Sequence, residues 1–211
     1  MPDTGDLGSA DGPPAAQSGE ELPERHYGWW DMFVRPQDDP READDGGGTG
    51  ERDVLVRYLR DRRLTLELKC SGLDAAGLAK RSVPPSTMSL LGLLRHVTET
   101  EQYWFRVILA EQQVPDLYRT EADRDGAFTG AVADPAVVSR AWDAWRAEVA
   151  FAEQLVSSAP DLDIAGHYDH GPEDRGAITL REVMVHMIEE YARHNGHADL
   201  LRERVDGRVG Q

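Results

Sequence analysis

The sequence predicts an all-α protein, a four-helix bundle preceded by an acidic N-terminal arm, and three observations carry that expectation. Apolar residues recur at helical intervals in four long segments. No convincing strand alternation and no internal repeat interrupts them. Charge is also unevenly spread: residues 1–52 hold thirteen Asp/Glu against four Arg, which supplies −9 of the net −16.

Taken in order, residues 1–22 are rich in Gly, Pro, Asp and Ser, lack periodicity, and are expected to be disordered. "HYGWWDMF" (26–33) is an aromatic island in that background. It reads as an anchor that packs onto the folded domain, with a partner-binding motif as the alternative. Residues 35–51 read as a linker, so the expected division is an arm over 1–51 and a bundle domain over 52–208. Leu55, Tyr58, Leu59 and Leu66 predict a first helix over 52–70, followed by a connection with a short turn at 74–80. Ser86, just after Pro84-Pro85, is the expected N-cap of a second long helix over 87–112. Residues 113–133 read as loop. Asp134-Pro135 opens a third helix to about Ser157, and 159–178 reads as another loop. "TLRE" (179–182) matches a capping box, in which Thr179 and Glu182 each satisfy an orphan amide. The last helix runs from there to about Val205 and stops at Asp206-Gly207. Connections of this length leave up-down and crossover topologies both open.

Composition excludes several classes. The 40% hydrophobic content supports a real core. The net charge of −16 argues against nucleic acid or an anionic membrane as partner, since both need a positive footprint. Cys70 is the only cysteine, which removes a disulfide framework and a thiolate-rich zinc site, and at a helix C-terminus it reads as an inert thiol. The first residues lack the basic start and apolar run of a signal peptide, and no apolar stretch nears the roughly 20 residues of a membrane span. A cytoplasmic monomer or homodimer is expected. Phosphate-binding glycine loops, serine nucleophile elbows and dinucleotide fingerprints are absent from the sequence.

Chemistry concentrates in the last helix, "HMIEEYARHNGHADLLRERVDG" (186–207). At about 100° per residue, Val183, Met184, Met187, Tyr191, Ala198 and Leu201 form one apolar face. His194 falls inside that face and Glu190 on its shoulder, whereas Glu189 points away. Glu190 and His194 are four residues apart and so stack on one stripe, a spacing that can grip one ion. His96, after "LLGLL" and one turn beyond Gly92, is the candidate third ligand from the second helix. Such a set suits a divalent metal, Zn²⁺ first, with Ni²⁺, Fe²⁺ or Mn²⁺ as alternatives. His186, His197 and Arg193 are expected as outer partners or rim groups. Two plainer readings compete: hydrogen-bonded core histidines, and an i,i+3 ion pair between Glu190 and Arg193. Tyr103, Trp104 and Phe105 read as core and interface packing, with the lining of a substrate pocket as the alternative. His167 and His170 read as loop groups covering the mouth of the bundle, and Arg181, Arg193 and Arg202 as mostly solvent-facing.

"PPSTMSLLGLLRHVTETEQYWF" (84–105) and "TLREVMVHMIEEYARHNGHADLLRERVDG" (179–207) resemble the DinB-like superfamily, in particular its mycothiol transferase-like branch. The resemblance spans about 52–208. It implies a four-helix bundle holding one divalent metal through a single histidine of the second helix, matched by His96, and an i,i+4 pair of the last helix, matched by Glu190 and His194. That pair is usually two histidines, but Glu/His occurs in members similar to mycothiol-dependent maleylpyruvate isomerase. The resemblance further implies a metal-dependent S-transferase in which a low-molecular-weight thiol, mycothiol as co-substrate, attacks an electrophilic small molecule or assists an isomerisation. No catalytic residue beyond the metal centre is assigned. The rival readings are a hydrolase using metal-bound water, with Glu189 or Asp199 as base, and a non-catalytic metal-binding bundle.

Overall fold

A computed structural model of the chain describes Glu24 and residues 34–43, 48–171 and 174–210. The expectations for 1–22 and for the aromatic island 26–33 lie outside the described residues. The main helices are α1 (Glu51–Cys70), α3 (Leu90–Glu101), α5 (Pro135–Ser158) and α6 (Leu180–Asp206), with short α2 (Ala75–Ala79) and α4 (Gly126–Thr129). The all-α expectation holds: α6 packs against α1 and α3, and α3 against α5. Between these helices lies one core that includes Leu59, Leu66, Leu91, Leu94, Val97, Phe105, Trp145, Val183, Met187 and Tyr191.

Several boundaries differ from expectation. The N-cap of α3 is Ser89, whose Oγ accepts from the Gly92 amide at 3.1 Å. Ser86 instead accepts from the Met88 amide at 3.2 Å in a local turn, so 87–89 stays outside the helix. Both serines suit a cap, and the deciding factor is packing: a Cβ on Gly92 would lie 2.7 Å from the Phe128 ring, which seats this first turn against α4.

The second helix is not uniformly α. Gln102–Leu109 forms a π-helical segment, with the Ala110 amide reaching back five residues to the Phe105 carbonyl at 3.1 Å. The wider turn buries Gln102, Phe105 and Ile108 while leaving Tyr103 exposed and Trp104 half-buried. Segments of this kind recur at functional sites.

The expected loop 159–178 contains an antiparallel hairpin, β1 (Ala165–Gly171) and β2 (Asp174–Thr179), with Ala165 paired to Thr179 and His167 to Ala177. Its polar alternation gave no apolar face to read as a strand. Gly166 lets β1 press onto the π-helical segment, since a Cβ there would sit 2.1 Å from the Ile108 carbonyl oxygen.

The capping box of α6 forms as expected: the Glu182 amide donates to Thr179 Oγ1 at 3.2 Å, and Glu182 Oε2 accepts from the Thr179 amide at 2.8 Å. Gly207, with φ 78°, closes the helix. Part of the expected linker lies against α1. Arg60 donates to the Pro40 carbonyl at 2.8 Å and Arg41 to Thr65 Oγ1 at 3.3 Å. Arg202 is fully buried rather than solvent-facing; its guanidinium binds Asp206 and the Lys69 and Ser71 carbonyls at the end of α1. Arg181 and Arg193 are the more exposed pair, bound to Glu51 and Glu190. No described helix is long and apolar enough to cross a membrane.

Candidate metal centre

α3 and α6 bring His96, Glu190 and His194 together. His96 Nε2 lies 3.0 Å, and His194 Nε2 3.1 Å, from the same oxygen, Glu190 Oε1. The two imidazole rings stand edge-on at 4.7 Å between centroids. All three donor atoms lie within 4.8 Å of one another, and among the described residues this is the group able to hold a metal ion. Tetrahedral ligands about 2.1 Å from an ion lie about 3.4 Å apart, near the 3.0 and 3.1 Å that separate each imidazole nitrogen from the carboxylate oxygen. The donor chemistry fits as well: two imidazoles and one carboxylate, of which His96 lines an open cleft.

The surroundings set the roles of these side chains. Arg193 donates to Glu190 Oε2 at 2.8 Å, which leaves Oε1 to face the imidazoles. The plainer ion-pair reading of Glu190 and the ligand reading are therefore compatible, one on each oxygen. Hydrogen bonds from His194 and then His96 outweigh partial burial and hold the Glu190 carboxyl well below the usual carboxylate range. His197 Nδ1 stands 3.3 Å from His194 Nδ1. Burial first, then His194 and Arg193, lower the pKa of His197 and favour its neutral form. With an ion in place of the His194 Nε2–Glu190 hydrogen bond, a neutral His197 would accept from His194 Nδ1–H and the Nε2 lone pair would be free for the ion. His186 is one turn away and meets Trp104, ring to ring at 4.9 Å. Of the three expected rim groups, two touch the donor set and His186 supports the aromatic wall.

A cleft of about 590 Å³ opens beside His96, between the π-helical segment and the 116–128 stretch. Tyr103, Trp104 and Phe128 are among its walls, and Phe128 stacks on His96 at 5.6 Å. Phe105 packs in the core as expected, whereas Tyr103 and Trp104 take the alternative place on the cleft wall, on the outer side of the π-helical turn. Loop 113–125 is hooked by Glu99, whose Oε1 accepts from the Tyr118 and Arg119 amides at 2.9 and 2.7 Å. Buried Arg95 donates to the Gly126 and Ala127 carbonyls, both at 2.8 Å, and lies over the Tyr118 ring. The cleft residues of this loop escaped sequence reading because it has no periodicity, and nothing local shows that α3 side chains hold it.

The remaining candidates stand elsewhere. His167 is exposed, 4.0 Å from Glu111, and the side chain of His170 lies outside the described set. Cys70 is buried, and burial pushes its thiol up to about 12, in line with an inert cysteine. Asp199 is ion-paired with Lys69 of α1, and Glu189 is exposed about 100° around α6 from Glu190. Neither base of the hydrolytic reading joins the cluster.

The mycothiol-S-transferase family model matches residues 54–207, nearly the whole helical domain. The chain belongs to the mycothiol-S-transferase family. The family is DinB-like, so the resemblance of the two helical motifs and the matched span agree, and at family level the function is thiol transfer with mycothiol as the thiol partner. No curated protein matches the chain. Among solved structures, the chain is similar to a conserved protein from Enterococcus faecalis, at 15% identity and a TM-score of 0.50, covering 75% of this chain and 98% of that one. At that identity the likeness speaks for the fold alone.

Proposed function

We propose that this family member is a metal-dependent S-transferase in which His96, Glu190 and His194 hold one divalent ion, Zn²⁺ first, and mycothiol supplies the sulfur. The observation that supports the reading is the convergence of two imidazole nitrogens and one carboxylate oxygen beside a cleft, in a mycothiol-S-transferase. When bound, the ion lowers the pKa of a thiol at its open positions, so that a thiolate exists at neutral pH. The chain's own residues prepare that chemistry. His197 fixes the orientation of His194, and Arg193 occupies the second oxygen of Glu190. Phe128 packs over His96 and keeps water from that face of the ring. The thiol proton leaves to solvent, a carbon–sulfur bond forms at the electrophile, and its leaving group departs with the bonding pair. Addition to a conjugated double bond followed by elimination would give isomerisation instead. We also read residues 1–51 as an arm to a domain over 52–208, acting in the cytoplasm as a monomer or homodimer.

The test is a thermal-shift titration of metal-loaded protein with mycothiol, paired with an assay of thiol consumption alongside an alkylating electrophile. The reading predicts a concentration-dependent rise in Tm and thiol consumption that requires the metal. Electrophile consumed equally well without any thiol would favour the hydrolytic alternative.

A further inference from the structure

We propose that Tyr191 and Asn195 are positioning residues for the metal donors, holding α6 at the rotation and height where Glu190 and His194 meet His96. The proposal rests on the metal-centre reading and adds what brings donors from two helices to one point. Glu190 and His194 form one i,i+4 stripe of α6. Tyr191 and Asn195, each one residue further on, form a second stripe turned about 100° from the first. Both are buried, Tyr191 completely. The Tyr191 hydroxyl donates to Glu101 Oε1 of α3 at 2.9 Å and accepts from Trp145 Nε1 of α5 at 2.9 Å. Asn195 Nδ2 donates to the Arg62 carbonyl of α1 at 3.0 Å. The next residue of α1, Arg63, grips Glu101 through two hydrogen bonds of 2.8 Å. The stripe beside the donors is thus tied to each of the other three main helices.

The kind of contact matters as much as its place. Around these two residues the buried face of α6 is Val183, Met184, Met187, Ala198 and Leu201. Apolar contact has no direction, and methionine adapts to a shifted neighbour. Hydrogen bonds weaken steeply with misalignment, so they select one register where the apolar surface would accept several. A metal site needs that selection, because its ligand distances must hold to about 0.2 Å. On α3 the tie falls at a critical place. Glu101 is the last α-helical residue before the π-helical segment, five residues or about 7.5 Å along from His96. The Tyr191 bond therefore fixes α3 where its winding changes.

The experiment measures Zn²⁺ affinity by chelator competition, and the visible absorption of Co²⁺-substituted protein as a report on ligand geometry. It compares wild type with Tyr191→Phe, Asn195→Leu and Thr179→Ala. The first two keep the side-chain size and remove the hydrogen bonds, whereas Thr179→Ala weakens the same helix at its distant cap. Tyr191→Phe and Asn195→Leu should each weaken Zn²⁺ binding by about tenfold or more and alter the Co²⁺ spectrum, with helical circular dichroism retained. Thr179→Ala should match wild type in both readouts. Wild-type affinity and spectrum in either anchor variant would overturn the role of that residue. An equal loss in Thr179→Ala would overturn both, since general destabilisation would then explain the effect. Trp145→Phe withdraws the donor to the Tyr191 hydroxyl without changing α6, and so keeps the test open if an α6 variant does not fold. It should weaken Zn²⁺ binding in the same direction, and wild-type affinity there would contradict the proposal. Wild type that binds neither Zn²⁺ nor Co²⁺ would instead defeat the metal-centre reading, and this one with it.

Discussion

α3 and α6 carry two acidic clusters within about a turn of each other, and they are built in opposite ways. In the interior, Glu101 is fully buried and fully satisfied: Arg63 grips both oxygens at 2.8 Å, and the Tyr191 hydroxyl donates to Oε1 at 2.9 Å. Trp145 Nε1 in turn donates to that hydroxyl at 2.9 Å. Burial, and then the Glu101 carboxylate, raise the Tyr191 pKa far above the ordinary phenol value, so the hydroxyl keeps its proton. At the neighbouring position on α6, Glu190 is bonded to His96, which lines the cleft, and two imidazole nitrogens crowd one of its oxygens. In one cluster a guanidinium fork and a tyrosine hydroxyl take up both oxygens of the acid. The other has two imidazole nitrogens converging on one carboxylate oxygen, with His96 reaching the open cleft. The difference separates a structural buried acid from a candidate ligand better than burial alone, since both acids are buried.

The contrast can be broken first at its closed end. Glu101→Ala takes the bidentate partner from buried Arg63 and leaves only the half-exposed Glu153 at 3.7 Å as counter-charge, which should cost about 3–5 kcal/mol of stability, read by chemical denaturation. Glu190→Gln should change the stability of metal-free protein far less, because its partners His96 and Arg193 are partly exposed and can turn to water. A comparable loss in both variants would erase the distinction. A smaller effect sharpens the open end. His197→Phe removes the partner of His194 Nδ1 and should weaken metal binding by roughly 10–100-fold, measured by competition with a chelator, with stability of the metal-free protein little changed. The smallest effect lies at the start of α6, the helix both clusters share. Thr179→Ala should cost about 1 kcal/mol in the same denaturation assay. The Glu182 carboxyl is held below its usual value of 4.5 by the Thr179 amide first and then its hydroxyl. With the folded pKa depressed, its contribution is present above the unfolded value and fades as pH falls through the folded one. Denaturation of Glu182→Gln should therefore converge with wild type under acid conditions and differ at neutral pH.

Much of this was legible in the sequence, for identifiable reasons. Helical periodicity and caps located the long helices, and the Glu190–His194 spacing placed both on one stripe that meets His96 across the interface. The closed network also left a mark that went unread: Arg63 falls on the stripe of Leu59, Leu66 and Cys70, and a charge on an apolar stripe calls for a buried partner. What could not be read was set by tertiary contacts. The π-helical turn that swings Tyr103 and Trp104 into the cleft has no propensity signature. The start of α3 at Ser89 rather than Ser86 depends on Phe128 seating over Gly92. The cleft wall depends on Glu99 and Arg95 reaching loop backbone some 20–30 residues away.

The most direct test of the central claim is metal stoichiometry, by elemental analysis, of purified wild type and of His96→Ala, Glu190→Ala and His194→Ala, each supplied with Zn²⁺ and then desalted. The account predicts about one ion per wild-type chain, the occupancy of a single donor set, and a large loss in every variant while the helical circular-dichroism signal persists. Wild type that retains no ion when supplied with one, or three variants that retain it undiminished, would contradict it.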